Sequence, residues 1–218
     1  MESIVTIGII LITCIVSFLA FNNQRIIDAL IFYPPAVDQD KEWYRFFSCG
    51  LIHADIGHLL FNMLALYFFG KDVEQIFKAL LGSMGPIVYL LLYVSALALS
   101  ILPTYHKHKR SYYYRSLGAS GAVSAIVFAG LALIPTGEVY MYFIPIPIPG
   151  FIFAPLYLLI SFALQKRGRD NINHSAHIWG SIYGAAFVIV LCLSVGFPIF
   201  TNFIEQVKAY MQVKGWIR

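Results

Sequence analysis

Gly118-Ala119-Ser120-Gly121 sets a serine among small residues at the head of an apolar run that stops at Pro135. A helix beginning there offers unpaired backbone N–H groups and the positive end of its dipole to an anion, which suits the oxyanion of a serine-protease reaction. A serine hydroxyl is a weak nucleophile until a base removes its proton, and His177 is the candidate base. His177 shares a helical face with Gly180, Ser181 and Gly184, and the Gly-x-x-x-Gly spacing lets another backbone approach closely. Gly118, Ala125, Ala129 and Ala132 give the Ser120 run a small-residue stripe of its own, so close packing of the two would bring His177 toward Ser120. His58 and Asn62 lie four apart on one face, with Asp55 placed to cap their helix. Competing structural readings exist for each residue. Ser120 can satisfy its hydroxyl locally, and His177 and Asn62 can serve as polar glue between helices.

Six apolar runs must carry these residues: 4–21, 57–69 with an amphipathic extension to 77, 80–102, 117–134, 150–164 and 176–197. The second, fourth and sixth enter a bilayer from the same side. They bring His58 and Asn62, Ser120, and His177 to a similar depth beneath one face, where polar groups are costly and face the bundle interior. The fourth run has 18 residues, about 27 Å of helix against a hydrocarbon core of about 30 Å, so its start lies below the surface.

Composition agrees with a membrane-embedded bundle. Of 218 residues, 59% are hydrophobic and 12% charged, about half the charge of a soluble domain. The net charge of +4 is spread over loops with no basic run, which points to lipid headgroups and excludes nucleic acid as a partner. Cys14, Cys49 and Cys192 make an odd number and no disulfide framework. The N-terminus lacks a basic leader and a small-residue cleavage site, so 4–21 reads as a retained span. Residues 22–55 hold apolar patches (Ile26-Ile27, Leu30 to Tyr33) ahead of Pro34-Pro35 and read as interfacial helices. Pro145 to Pro149 reads as a stiff connector, and 202–218 as an interfacial tail. His53, His106, His108 and His174 are expected to be solvated or structural, and no His-Glu-x-x-His or cysteine-rich set indicates a metal.

The ordered set His53-x4-His58-x3-Asn62, Gly118-x-Ser120-Gly121 and Ala176-His177-x2-Gly180-x3-Gly184 resembles the rhomboid family of intramembrane serine proteases across nearly the whole chain. Glu42-Trp43-Tyr44-Arg45 also resembles the family's Glu-x-Trp-Arg element, with Tyr44 where Trp is common. The resemblance implies an all-α polytopic six-helix bundle working through a Ser120-His177 dyad with no acid and no cofactor. It implies an oxyanion held by the Ser120 N–H with the His58 and Asn62 side chains, and Glu42 and Arg45 as structural loop residues. Ser124 stands where some relatives carry an aromatic that braces the catalytic imidazole, so a different contact must orient His177.

The implied substrates are single-span membrane proteins with helix-weakening Gly or Pro near the cut, and the implied setting is a bacterial cell membrane with cytoplasmic termini. Ten of the 15 Lys and Arg lie in the first, third and fifth loops, which by the positive-inside rule points the other way. The interfacial character of the first loop favours the orientation of the resemblance. The alternative functions are an inert rhomboid-like protein that binds membrane clients and a histidine-lined channel or metal transporter.

Overall fold

The computed structural model describes residues 3–141, 144–168 and 172–217. Helix α1 (Ile4–Phe21) receives no cap from Ser3. The buried Glu74 carboxylate caps it from outside, accepting from Val5 N at 3.1 Å, Thr6 N at 2.8 Å and Thr6 Oγ1 at 2.6 Å. The first loop folds into α2 (Gln24–Leu30), α3 (Pro34–Gln39) and α4 (Arg45–Ser48), followed by a 3-10 turn at Cys49–Leu51. Pro34 and Pro35 open α3, where a missing N–H costs nothing.

Helix α5 (Ile56–Leu81) starts at its N-cap Asp55, which accepts from His58 N at 2.8 Å, and ends at Gly82 with φ +61°. That cap ends the second helix later than 77 and starts α6 (Gly85–His108) later than 80. Helix α6 also runs through Pro103 instead of stopping at Leu102, since a bundle-packed helix tolerates one absent donor. Helix α7 (Ser120–Leu133) is shorter than the 117–134 run, because Gly118 at φ +109° forces the chain to turn before Ser120. A small antiparallel hairpin follows, β1 (Glu138–Met141) and β2 (Ile144–Pro149), where a bare connector was expected. Helices α8 (Gly150–Arg167) and α9 (His174–Ser194) complete the bundle, the former extending beyond 164 and the latter ending short of 197. The tail forms α10 (Ile199–Val213), whose Gln206 Nε2 donates to Leu133 O at the end of α7 at 3.1 Å.

The core encloses α7, which is buried along nearly its whole length by α5, α6 and α9. Leu66, Val73, Phe77, Tyr89, Leu92, Ala122, Ala125, Ile126 and Val188 form its centre, each fully or almost fully buried. Outside, Ile4, Leu11, Ile12, Ile15, Phe18 and Leu19 of α1 are each more than half exposed, a surface suited to lipid and not to water. Among the described residues, three helical stretches, Ile4–Phe21, Ile56–His108 and His174–Ser194, are long and apolar enough to cross a membrane, the second comprising α5 and α6. The chain is a polytopic, predominantly helical membrane protein.

Candidate functional site

Ser120 is the first residue of α7, so its N–H is one of the donors the helix itself cannot satisfy. The chain reaches it through Gly118, whose N–H donates to Cys49 O at 2.9 Å. A side chain at Gly118 would meet the His58 ring, the ideal Cβ falling 2.6 Å from Cε1 and 2.8 Å from Nε2. The glycine therefore serves two needs, a positive φ and room for an imidazole.

His177 lies one turn into α9, which Asn173 caps by accepting from Ala176 N at 3.1 Å. The same Asn173 oxygen accepts from Thr104 Oγ1 of α6 at 3.1 Å, tying the start of α9 to a second helix. Glycines then let α9 lie directly on α7. A Cβ on Gly180 would fall 2.9 Å from Gly121 C, and one on Gly184 2.6 Å from Ala125 Cα, closer than ordinary carbon contact. Gly121 itself packs against Ser100 of α6. With the backbones this close, His177 Nε2 lies 2.8 Å from Ser120 Oγ, hydrogen-bond distance. With its proton on Nδ1, the ring accepts the serine hydroxyl proton at Nε2.

Asn62 is buried on α5, and its Nδ2 donates to His58 O at 2.9 Å. His58, Asn62, Ser120 and His177 all line one cleft of about 1690 Å³. Its walls are largely apolar, with Phe61, Leu64, Phe68, Val127 and Phe153 among them, and Asp55, Arg115, Lys71 and Asp72 also border it. Glu42 and Arg45 sit elsewhere, in the first loop. Arg45 is buried, pairs with Glu42, and donates Nη1 to Asp28 O and Ile31 O at 2.8 Å each. Tyr44 donates its hydroxyl to Ala29 O at 3.1 Å. The loop is joined to the Ser120 side of the molecule by an antiparallel bridge between Phe32 and Ser116.

Ser124 engages Tyr157 of α8, Oγ to OH at 3.2 Å, and the His174 ring lies edge-to-face against His177 with centroids 5.9 Å apart. His174 is buried at the head of α9 and His53 is buried ahead of α5, whereas His106 is exposed and His108 stacks on Tyr114. Asn173 could have been found from sequence as a polar cap residue just ahead of an apolar run. Nothing in the sequence marks Tyr157. Among the described residues no group of three or more His, Cys, Asp or Glu is gathered to hold a metal, and the three cysteines are free.

The sequence model described as the rhomboid domain matches residues 40–194. Similar proteins include Rhomboid protease GlpG of Enterobacter sp., 32% identical over 187 residues, covering 82% of this chain and 60% of that one. RHOMBOID-like protein 12, mitochondrial, of Arabidopsis thaliana is 31% identical over 145 residues, covering 61% of this chain and 42% of that one. Putative rhomboid protease YdcA of Bacillus subtilis is 27% identical over 154 residues, covering 70% and 68%. The chain thus spans less than two thirds of the length of the first two of these relatives.

Proposed function

This chain belongs to the rhomboid family, and from that premise we propose that it is an intramembrane serine endopeptidase cleaving single-span membrane proteins through a Ser120-His177 dyad. One observation carries the reading: the 2.8 Å approach of His177 Nε2 to Ser120 Oγ at the head of a buried helix, inside a cleft.

In this mechanism His177 takes the Ser120 proton as Oγ attacks the scissile carbonyl carbon. The carbonyl oxygen becomes an oxyanion held by the Ser120 N–H and by the His58 and Asn62 side chains. Asn62 turns its amide from His58 O to do so. His177 then passes the proton to the departing amine and the peptide C–N bond breaks, leaving an acyl ester on Ser120. A water molecule, deprotonated by His177, attacks that ester; the bond from the acyl carbon to Ser120 Oγ breaks, His177 returns the proton to Oγ, and the carboxylic acid leaves. No carboxylate is needed, because a neutral imidazole fixed at hydrogen-bond distance already has the correct form and position.

The apolar walls of the cleft, bordered also by Asp55, Arg115, Lys71 and Asp72, favour a substrate that itself crosses a bilayer. Because a regular helix shields its backbone, cleavable substrates carry Gly or Pro near the cut and a small residue at it. The protein is integral to a membrane. The finer assignment, a bacterial cell membrane with cytoplasmic termini, draws support from the bacterial GlpG and YdcA relatives, and reporter fusions at the C-terminus test it. For the activity, the test is reconstituted protein and a model single-span substrate. Wild type should cleave and Ser120→Ala should not; equal rates would remove Ser120 from the reaction, and an inert client-binding protein would cleave with neither.

A further inference from the structure

Beside the dyad sits a histidine to which the mechanism gives no role. His53 lies in the segment between the 3-10 turn and α5, only 2% exposed. Its Nδ1 is 3.0 Å from Ser17 Oγ on α1, and its Nε2 lies 3.4 Å from Ala119 N, the residue before Ser120. Ser17 Oγ is itself 2.9 Å from Leu51 O. These contacts determine where the protons are. A carbonyl oxygen only accepts, so the single Ser17 hydroxyl proton goes to Leu51 O. Ser17 Oγ must then accept from His53, which places the ring proton on Nδ1. A neutral ring protonated there has a lone pair at Nε2, and that lone pair meets the Ala119 N–H.

We infer that His53 is a positioning residue for the nucleophile: as a neutral ring protonated on Nδ1, it ties the Ala119 peptide, and with it the head of α7, to α1. The catalytic part of this claim rests on Ser120 being the nucleophile; the tautomer does not. The surroundings suit a ring that stays neutral. Burial pushes its pKa down to about 3, the facing His58 ring at 4.9 Å adds repulsion, and Asp55 opposes both more weakly. A second proton would put an N–H against the Ala119 N–H and break the tie. The connection also explains how α1, remote from the chemistry, contributes to it. Its Ser17 is fully buried and sets the tautomer that receives the nucleophile's neighbouring peptide.

Two measurements test this. In protein labelled with ¹⁵N at histidine, with His53 assigned by comparison with His53→Gln, Nδ1 should be protonated and Nε2 bare from pH 8 to 5; a proton on Nε2 overturns the inference whatever the activity. In a cleavage assay, His53→Ala should lower kcat by about 100-fold with KM nearly unchanged, since misplacing a reacting group by about 1 Å costs that much. His53→Gln, whose Oε1 can accept the Ala119 N–H, should recover about tenfold of that loss. Wild-type kcat in His53→Ala, or no recovery in His53→Gln, overturns the positioning role. Should His53→Ala fail to fold, Ser17→Ala carries the same test, with a fall in kcat and a gain of the Nε2–H form expected. A wild type that labels as described but never cleaves would retire the Ser120 reading and leave the tautomer standing.

Discussion

Gly184→Ala adds one methyl group two turns from His177 and tests whether the contact between α7 and α9 sets the dyad. The new Cβ would lie 2.5 Å from Ala125 C and 2.6 Å from its Cα. Carbon atoms settle near 3.5 to 4.0 Å, so the helices must part by about 1 Å. Carried to the head of the pair, that displacement stretches the Ser120 to His177 separation from 2.8 Å to about 4 Å, beyond hydrogen-bond reach. The expected result is a fall in kcat of about 100-fold with a smaller change in KM, together with about 1–3 kcal/mol of lost stability from overpacking. Gly180→Ala should act in the same direction. Gly8→Ala on α1, where a Cβ meets nothing within 4 Å, is the control and should cleave normally. Initial rates on a single-span substrate in liposomes, with thermal unfolding in detergent, measure both quantities. Wild-type kcat in Gly184→Ala would refute the argument that the close approach of these backbones positions the base.

Three further outcomes follow from the packing. Glu74→Ala leaves the Val5 and Thr6 N–H groups without their carboxylate and should cost about 2–4 kcal/mol in thermal or denaturant unfolding, with Glu74→Gln recovering part because one oxygen remains. Arg45→Ala should cost a similar amount by stranding the Asp28 and Ile31 carbonyls and Glu42, and Arg45→Lys should restore little, since a point ammonium cannot reproduce the guanidinium fork. His53 makes stability depend on acid: folded, it takes a proton only near pH 3, whereas unfolded it does so near 6.5. The unfolded state therefore binds the extra proton between those values. Stability is complete above about 6.5 and falls toward about 3, by at most about 1.4 kcal/mol per pH unit, and His53→Gln should flatten that slope in unfolding midpoints measured across pH.

Much of this arrangement was legible in the sequence because membrane burial leaves so few polar residues to place. Counting spans groups His58, Asn62, Ser120 and His177, which line one cleft in the structure, and glycines at helical spacing indicate where two backbones can meet. What the sequence hid depended on partners far along the chain. Glu74 reads as one more residue of an amphipathic helix, and only folding reveals it as the cap of α1, 68 residues away from Thr6. His53 reads as a boundary histidine until Ser17 and Ala119 are seen on its two nitrogens. The Pro145 to Pro149 stretch reads as a connector because its prolines lack donors. Yet successive residues of a strand present their N–H groups to opposite edges, so Ile148, paired with Val139, keeps a donor for the edge shared with β1. The late start of α7 was hidden in a similar way, since an apolar run does not show that Gly118 turns the chain before the helix begins.

The central claim is that His177 activates Ser120. Its most direct test is the rate and position of labelling by a fluorophosphonate probe, with the adduct mapped by mass spectrometry. A single adduct on Ser120, slowed by about 10³-fold or more in His177→Ala, is the expected result. An adduct on another residue, or the same labelling rate with and without the His177 imidazole, would contradict it.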